Sequence, residues 1–113
     1  MSACLFCGIA RGEVPAEIVH DDGTVIAFRD INPQAPTHIL VIPRDHVDSA
    51  HAVTVEQDAM WGQMLRVAQR LAESEGVAGG YRLVTNVGRG GGQTVNHLHL
   101  HLLGGRQMTW PPG

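Results

Sequence analysis

Residues 97–103 read His97-Leu98-His99-Leu100-His101-Leu102-Leu103, an alternation of imidazole and leucine with a period of two. A β-strand sends residues i, i+2 and i+4 to one face, whereas a helix scatters them. The stretch is therefore expected to be extended, with three imidazoles on one side and the leucines entering a core on the other. Alternate side chains then stand about 6.6 Å apart. That spacing suits rings that serve one extended phosphate ester, or divide their duties, better than three rings meeting on one metal ion. A solvent-facing strand that happens to carry histidines and an adventitious metal-binding tract are the plain alternatives. Strict alternation beside a glycine-rich loop, in a chain of 113 residues with seven histidines, argues against both.

The flanking sequence predicts an α+β domain. Cys4 to Ala10 reads as one helical turn or knuckle before Gly12 and Pro15. Glu17–His20 and Val25–Asp30 flank the turn residues Asp21-Asp22-Gly23, which predicts a hairpin. Ile31 to Pro36 contains two prolines and reads as loop, and His38–Ile42 reads as a buried strand closed by Pro43. Thr54 and Gln57 form a capping-box signature, after which Met60, Met64, Val67, Ala68 and Leu71 recur at helical spacing up to Gly76. Tyr81–Asn86 is the next expected strand, Gly88–Gln93 the connecting loop, and Val95–Leu103 the return strand. Residues 104–113 hold two prolines and are expected as an extended tail. Strands, one long helix and two more strands suggest a mostly antiparallel sheet with the helix on one face, in a single domain spanning residues 1–113.

Composition excludes several function classes. Apolar residues make up 43% of the chain and charged residues 17%, enough apolar surface for a folded core. No apolar run approaches the ~18–20 residues of a membrane helix, and Met1-Ser2-Ala3-Cys4 lacks the features of a secretory signal, so a soluble, cytoplasmic chain is expected. A net charge of −3 disfavours an extended nucleic-acid tract, although a small phosphate ligand stays open. The aromatic residues Phe6, Phe28, Trp61, Tyr81 and Trp110 are too few for a single-strand stacking platform. Cys4 and Cys7 are too close and too few for a disulfide framework, which leaves metal ligation or reduced thiols.

Histidine suits displacement at phosphorus because neutral imidazole is nucleophilic near pH 7 and the phosphoryl-histidine it forms is labile. The attacking ring must be neutral at one nitrogen and oriented by a hydrogen bond at the other, while a nearby cationic imidazole protonates the leaving group. Three clustered histidines can divide those tasks. Gly88 to Gly92 let backbone N–H groups approach an anion, and Gln93 and Thr94 add side-chain donors. Asn86 ends the preceding strand and is placed to reach the same region. His20 and His51 read as ordinary surface or strand-end residues.

The histidine motif resembles the His-φ-His-φ-His-φ-φ signature of the histidine triad (HIT) superfamily of nucleotide hydrolases and transferases. Phe6-Cys7, Glu13 to Ala16, Ala27 to Pro33, Ala35 to Pro43, Gly91 to Val95, Gly104 to Met108 and Trp110-Pro111-Pro112-Gly113 are similar to its Hint branch. That resemblance implies a HIT-like fold in a homodimer, whose two five-stranded sheets join into one of ten strands. It also implies hydrolysis of purine nucleoside 5′-phosphoramidates to a nucleoside monophosphate and an amine, with no cofactor in the chemical step. Carried over by position, His99 attacks phosphorus with its other nitrogen held by the His97 carbonyl, His101 contacts the phosphate and leaving group, and His38 completes the cluster. Asp30 binds the ribose, Phe28 and Ile31 contact the base, Asn86, Gly92, Gln93 and Thr94 surround ribose and phosphate, and Trp110 reaches the partner subunit's site. Arg29 and Asn32 depart from close relatives, which often carry histidine and serine there, on the loop side of the pocket.

Cys4-x-x-Cys7 resembles the N-terminal pair of bacterial members that hold a structural zinc with two later histidines, here His46 and His97. Two sulfurs and two imidazole nitrogens form a closed tetrahedral set, which implies a structural role and leaves His99 available. Two other readings stand beside the phosphoramidase. One is a zinc-dependent hydrolase in which the histidine cluster holds a catalytic metal; the other is a non-catalytic nucleotide-binding or scaffold module.

Overall fold

The computed structural model describes residues 4–113; the reading of Met1, Ser2 and Ala3 lies outside the described residues. Five strands, β1 (Ile18–Asp21), β2 (Val25–Arg29), β3 (Thr37–Pro43), β4 (Tyr81–Val84) and β5 (Leu100–Gly104), form one sheet in the order β1-β2-β3-β5-β4. Every neighbouring pair is antiparallel. The expected hairpin closes at Asp22, whose carboxylate accepts the N–H groups of Thr24 and Val25 at 2.9 and 2.8 Å.

Strand alternation divides the apolar residues between two cores. Val25, Ala27, Ile39, Val41, Leu98, Leu100 and Leu102 pack on one face, against Met64, Val67, Ala68 and Leu71 of α2 (Asp58–Ser74). On the opposite face Ile26, Phe28, Leu40 and Ile42 pack against Phe6 and Ile9 of α1 (Leu5–Ala10). His38 shares the parity of Leu40 and Ile42, so the second face is also the histidine face.

The long helix begins later and ends earlier than its periodicity suggests. Gln57 Oε1 accepts the Thr54 N–H at 2.9 Å, yet Val55–Gln57 winds as a 3₁₀ turn before α2 begins at Asp58. Gly76 takes a left-handed conformation at φ +75°, which ends the helix beyond Ser74.

The return strand is shorter than Val95–Leu103. It starts at Leu100, because the Leu98 N–H is already taken by the Val47 carbonyl at 2.6 Å. His97 and His99 therefore lie in the segment leading into β5, while Leu98 still enters the helix-side core. Likewise β4 stops at Val84, and the next side chain, Thr85, donates its hydroxyl to the His99 carbonyl at 2.8 Å. Among the described residues no helix is long and apolar enough to cross a membrane.

Candidate active site and metal centre

His99, His101 and His38 converge on the Phe6 face of the sheet. The His99 ring stands 5.1 Å from Phe6 and 5.0 Å from His101, between ring centroids. His38 pairs with Leu103 and His101 with Leu40 across β3 and β5, so the two histidines are diagonal neighbours on one face. Their Nε2 and Nδ1 atoms lie 2.9 Å apart.

Main-chain partners fix the tautomer of each ring. The His97 carbonyl can only accept, so His99 donates from Nδ1 at 2.7 Å and keeps a lone pair on Nε2. At His38 the order reverses: the Gln34 N–H donates to Nδ1 at 3.0 Å, which leaves the proton on Nε2. That proton faces His101 Nδ1, with Asp30 Oδ2 3.4 Å away. His101 accepts at Nδ1 and carries its own proton on Nε2. Asp30 is held in turn by the Asn32 N–H, which donates to Oδ1 at 2.8 Å.

Burial pushes the His101 pKa down to about 4, helped by the charges of His99 and His38 and opposed by Asp30. Burial also lowers His38 against the pull of Asp30. These two rings are neutral near pH 7 within the protein's own field. In place of the cationic imidazole expected from the sequence, the free protein presents a neutral His101 that donates from Nε2, because burial disfavours the charged form.

A cavity of about 250 Å³ opens over this cluster, lined by Phe6, Phe28, Asp30, Ile31, Thr94, His99 and His101. Ile31 is 98% exposed at its rim. Asn86, Gly92, Gln93 and Trp110 are not among its lining residues. Gln93 braces the glycine loop, accepting the Gly88 N–H at 2.9 Å and donating to the carbonyls of Asp48 and Val95 at 2.7 and 3.0 Å. Trp110 is 83% exposed in the tail, where Arg82 donates to the neighbouring Thr109 carbonyl at 2.7 Å. A larger hollow of about 860 Å³ lies along β4 and Gly105–Met108, and none of its lining residues is an acid, a histidine or a cysteine.

Arg29 is among the residues lining the cavity, on the loop side as expected, but its guanidinium is engaged elsewhere. It alternates with Phe28 along β2, and its guanidinium forms a two-pronged pair with Glu75, at 2.8 and 2.9 Å, and a third bond to Glu17 at 2.9 Å. His20 bonds Asp22 at 2.8 Å and His51 is exposed, both away from the cavity.

Cys4, Cys7, His46 and His97 form a second cluster, with one donor atom from each lying within 4.8 Å of all the others. Cys4 caps α1, and one turn later Cys7 points the same way. The His97 ring is fixed by donation from Nε2 to the Pro43 carbonyl at 2.9 Å, and His46 donates from Nε2 to Asp48 at 2.7 Å. Both rings therefore turn an unprotonated Nδ1 towards the sulfurs, with contacts of 3.3 to 3.5 Å. Burial raises the Cys4 thiol, but hydrogen bonds outweigh it and leave the pKa lowered, among them the Cys7 N–H, which donates to Sγ at 3.4 Å. Soft thiolates, neutral imidazoles and anchored outer nitrogens fit a tetrahedral zinc ion.

Asp30, His38 and His101 are grouped just as closely but do not fit. His38 already accepts a proton donor at Nδ1, so ligation through Nε2 would require an imidazolate. Of the two clusters, only the cysteine one presents its lone pairs inward.

Phe6 against His99, the Gln34 N–H, the Pro43 carbonyl and Asp48 were not singled out from sequence. Three of these act through main-chain atoms or as a second layer, for which residue identity carries little signal.

Comparison with known proteins supplies the family context. A HIT domain model matches residues 11–108. The purine nucleoside phosphoramidase of Escherichia coli is 50% identical over 105 residues, covering 92% of this chain and 88% of its own. A 14 kDa zinc-binding protein of Zea mays is 48% identical over 114 residues, covering 99% and 89%. The crystal structure of a HIT family hydrolase from Legionella pneumophila superposes with a TM-score of 0.95 at 56% identity, covering 97% of this chain and 99% of that one.

Proposed function

The chain belongs to the HIT domain family, and on that premise we propose that it hydrolyses purine nucleoside 5′-phosphoramidates through a nucleotidyl intermediate on His99. The observation that carries this reading is the Nδ1–H of His99 donated to the His97 carbonyl, which leaves Nε2 as a lone pair beside the Nε2–H of His101 in a cavity with an apolar wall.

In the first step His99 Nε2 forms a bond to the α-phosphorus as the phosphorus–amine bond breaks. His101 donates a hydrogen bond from Nε2 to the departing amine, which takes up its proton from solvent, so that His101 stays neutral throughout. As positive charge develops on His99, the His97 carbonyl stabilises it at Nδ1. In the second step water attacks phosphorus and the phosphorus–Nε2 bond breaks. The water's proton passes to solvent, which restores the one the amine took, and nucleoside monophosphate leaves. Phe28 and Ile31 offer apolar walls to the base, and Asp30, anchored at Oδ1, accepts from the ribose hydroxyls through Oδ2.

Cys4, Cys7, His46 and His97 would hold zinc, which supplies a cross-link between α1 and the lead-in to β5 and takes no part in the chemical step. Two copies associate through β4, an edge strand whose outer N–H and C=O groups face away from the sheet. In that dimer the exposed Trp110 of one copy would approach the other's site, as the family resemblance implies. No tract suits extended nucleic acid or membrane, and the chain is read as cytoplasmic.

The reading is tested by His99→Asn. Turnover of adenosine 5′-phosphoramidate is expected to fall by about 10³-fold or more while monophosphate binding is kept. Full activity in that variant would refute the nucleophile. Unaltered binding with no wild-type turnover would instead favour the non-catalytic module.

A further inference from the structure

Gln34 is held through both of its main-chain polar groups. Its N–H donates to His38 Nδ1 at 3.0 Å, and its carbonyl accepts from Arg106 Nε at 2.8 Å. One residue earlier in the tail, Gly105 sits at φ +90° so close to the same loop that a Cβ would stand 3.0 Å from Pro36 Cβ. The segment just beyond β5 thus grips the 30–36 loop at two points. Gln34, Gly105 and Arg106 are all exposed, so burial does not account for the grip.

We propose that Arg106 is a positioning residue: by holding the Gln34 peptide against His38 it keeps His38 protonated at Nε2, and so keeps His101 protonated at the Nε2 that serves the leaving group.

Neutral imidazole has one N–H, and its position decides the polarity of the whole pair. With the Gln34 N–H in place, a proton on His38 Nδ1 would set two donors against each other. If the Gln34 peptide turns away, that proton is allowed. His38 Nε2 then becomes an acceptor, His101 must donate from Nδ1, and His101 Nε2 is left bare. A bare nitrogen cannot donate a hydrogen bond to the departing amine and meets its lone pair instead. The pair stays just as well bonded after the change, so His38–His101 packing alone does not select the productive arrangement. Selection comes from outside the pair, along the path Arg106, Gln34, His38, His101. Asp30 is spared in this scheme, because its N–H bonds the His38 carbonyl at 3.0 Å and its Oδ1 accepts from Asn32, neither of which involves Arg106.

The consequence for turnover rests on the phosphoramidase reading, whereas the tautomer does not. Full-length protein carrying ¹⁵N-labelled histidine reports which ring nitrogens bear protons, and Arg106→Ala, Arg106→Lys and Gly105→Ala are compared with wild type. Wild-type His38 is expected to show a bare Nδ1 and a protonated Nε2. In Arg106→Ala the Nδ1–H form should appear. Loss of a donor aimed at the transition state costs about 10²- to 10³-fold, so partial scrambling should lower kcat about tenfold, with monophosphate affinity kept within about twofold. Arg106→Lys should restore both signals, and Gly105→Ala, which strains the other contact, should move the same His38 signal. A wild-type His38 protonated at Nδ1, or an Arg106→Ala tautomer identical to wild type, overturns the proposal. A tautomer shift in a protein that never turns over phosphoramidate would support the positioning and reject the activity.

Discussion

His99 Nδ1 lies 2.7 Å from the carbonyl oxygen of His97, and the ring of that same His97 faces the sulfurs of Cys4 and Cys7. One residue therefore orients the proposed nucleophile through its main chain and joins the cluster proposed for zinc through its side chain. The two functions stay chemically separate because they use different atoms.

Protein purified without added metal is expected to contain one zinc per chain, measurable by elemental analysis. Asp48→Ala, which removes the partner of His46 Nε2, should weaken zinc affinity by about 10- to 100-fold. Chelation should lower the melting temperature yet leave turnover by the folded protein in place. Immediate loss of activity on chelation would favour the metal-dependent hydrolase instead.

Acid stability should report the half-buried His101. Its pKa is pushed to about 4 in the fold against an ordinary value of 6.5, first by burial and then by the charges of His99 and His38. Between those values the unfolded chain binds a proton that the folded chain does not. This contribution is complete above pH 6.5 and is lost as pH falls towards 4. Urea midpoints of His101→Gln should depend less steeply on pH across that window, and an unchanged slope would contradict the assignment.

The Arg29–Glu75 pair joins the end of β2 to the end of α2 by two bonds. A double-mutant cycle with Arg29→Ala and Glu75→Ala should return a coupling energy of about 1 kcal/mol, the upper part of the range for partly exposed pairs. Additive effects would show that the geometry contributes nothing measurable.

Association through β4 predicts that wild type sediments as two chains. Leu83 is 37% exposed on that edge strand, on the same face as Leu102, and Leu83→Asp should shift the species to one chain by placing an unpaired charge beside the contact. A wild type that is a single chain at all accessible concentrations would contradict the association.

Period-two patterning made the two faces of the sheet legible, since Leu98, Leu100 and Leu102 do enter one core while His99 and His101 face the other side. It did not reveal where β5 begins, because the Val47 carbonyl takes the Leu98 N–H from a distant part of the chain. Arg29 does line the cavity, but the sequence did not reveal that its guanidinium reaches Glu17 and Glu75, far from it along the chain. The tautomers were equally hidden, as Gln34 and Pro43 act through N–H and C=O groups that every sequence supplies.

The most direct measurement is the mass of the protein quenched during turnover of adenosine 5′-phosphoramidate. Wild type is expected to carry one adenylyl group, mapped to His99 by peptide sequencing and absent from His99→Asn. Steady turnover with no adduct, or an adduct on another histidine, would contradict the mechanism.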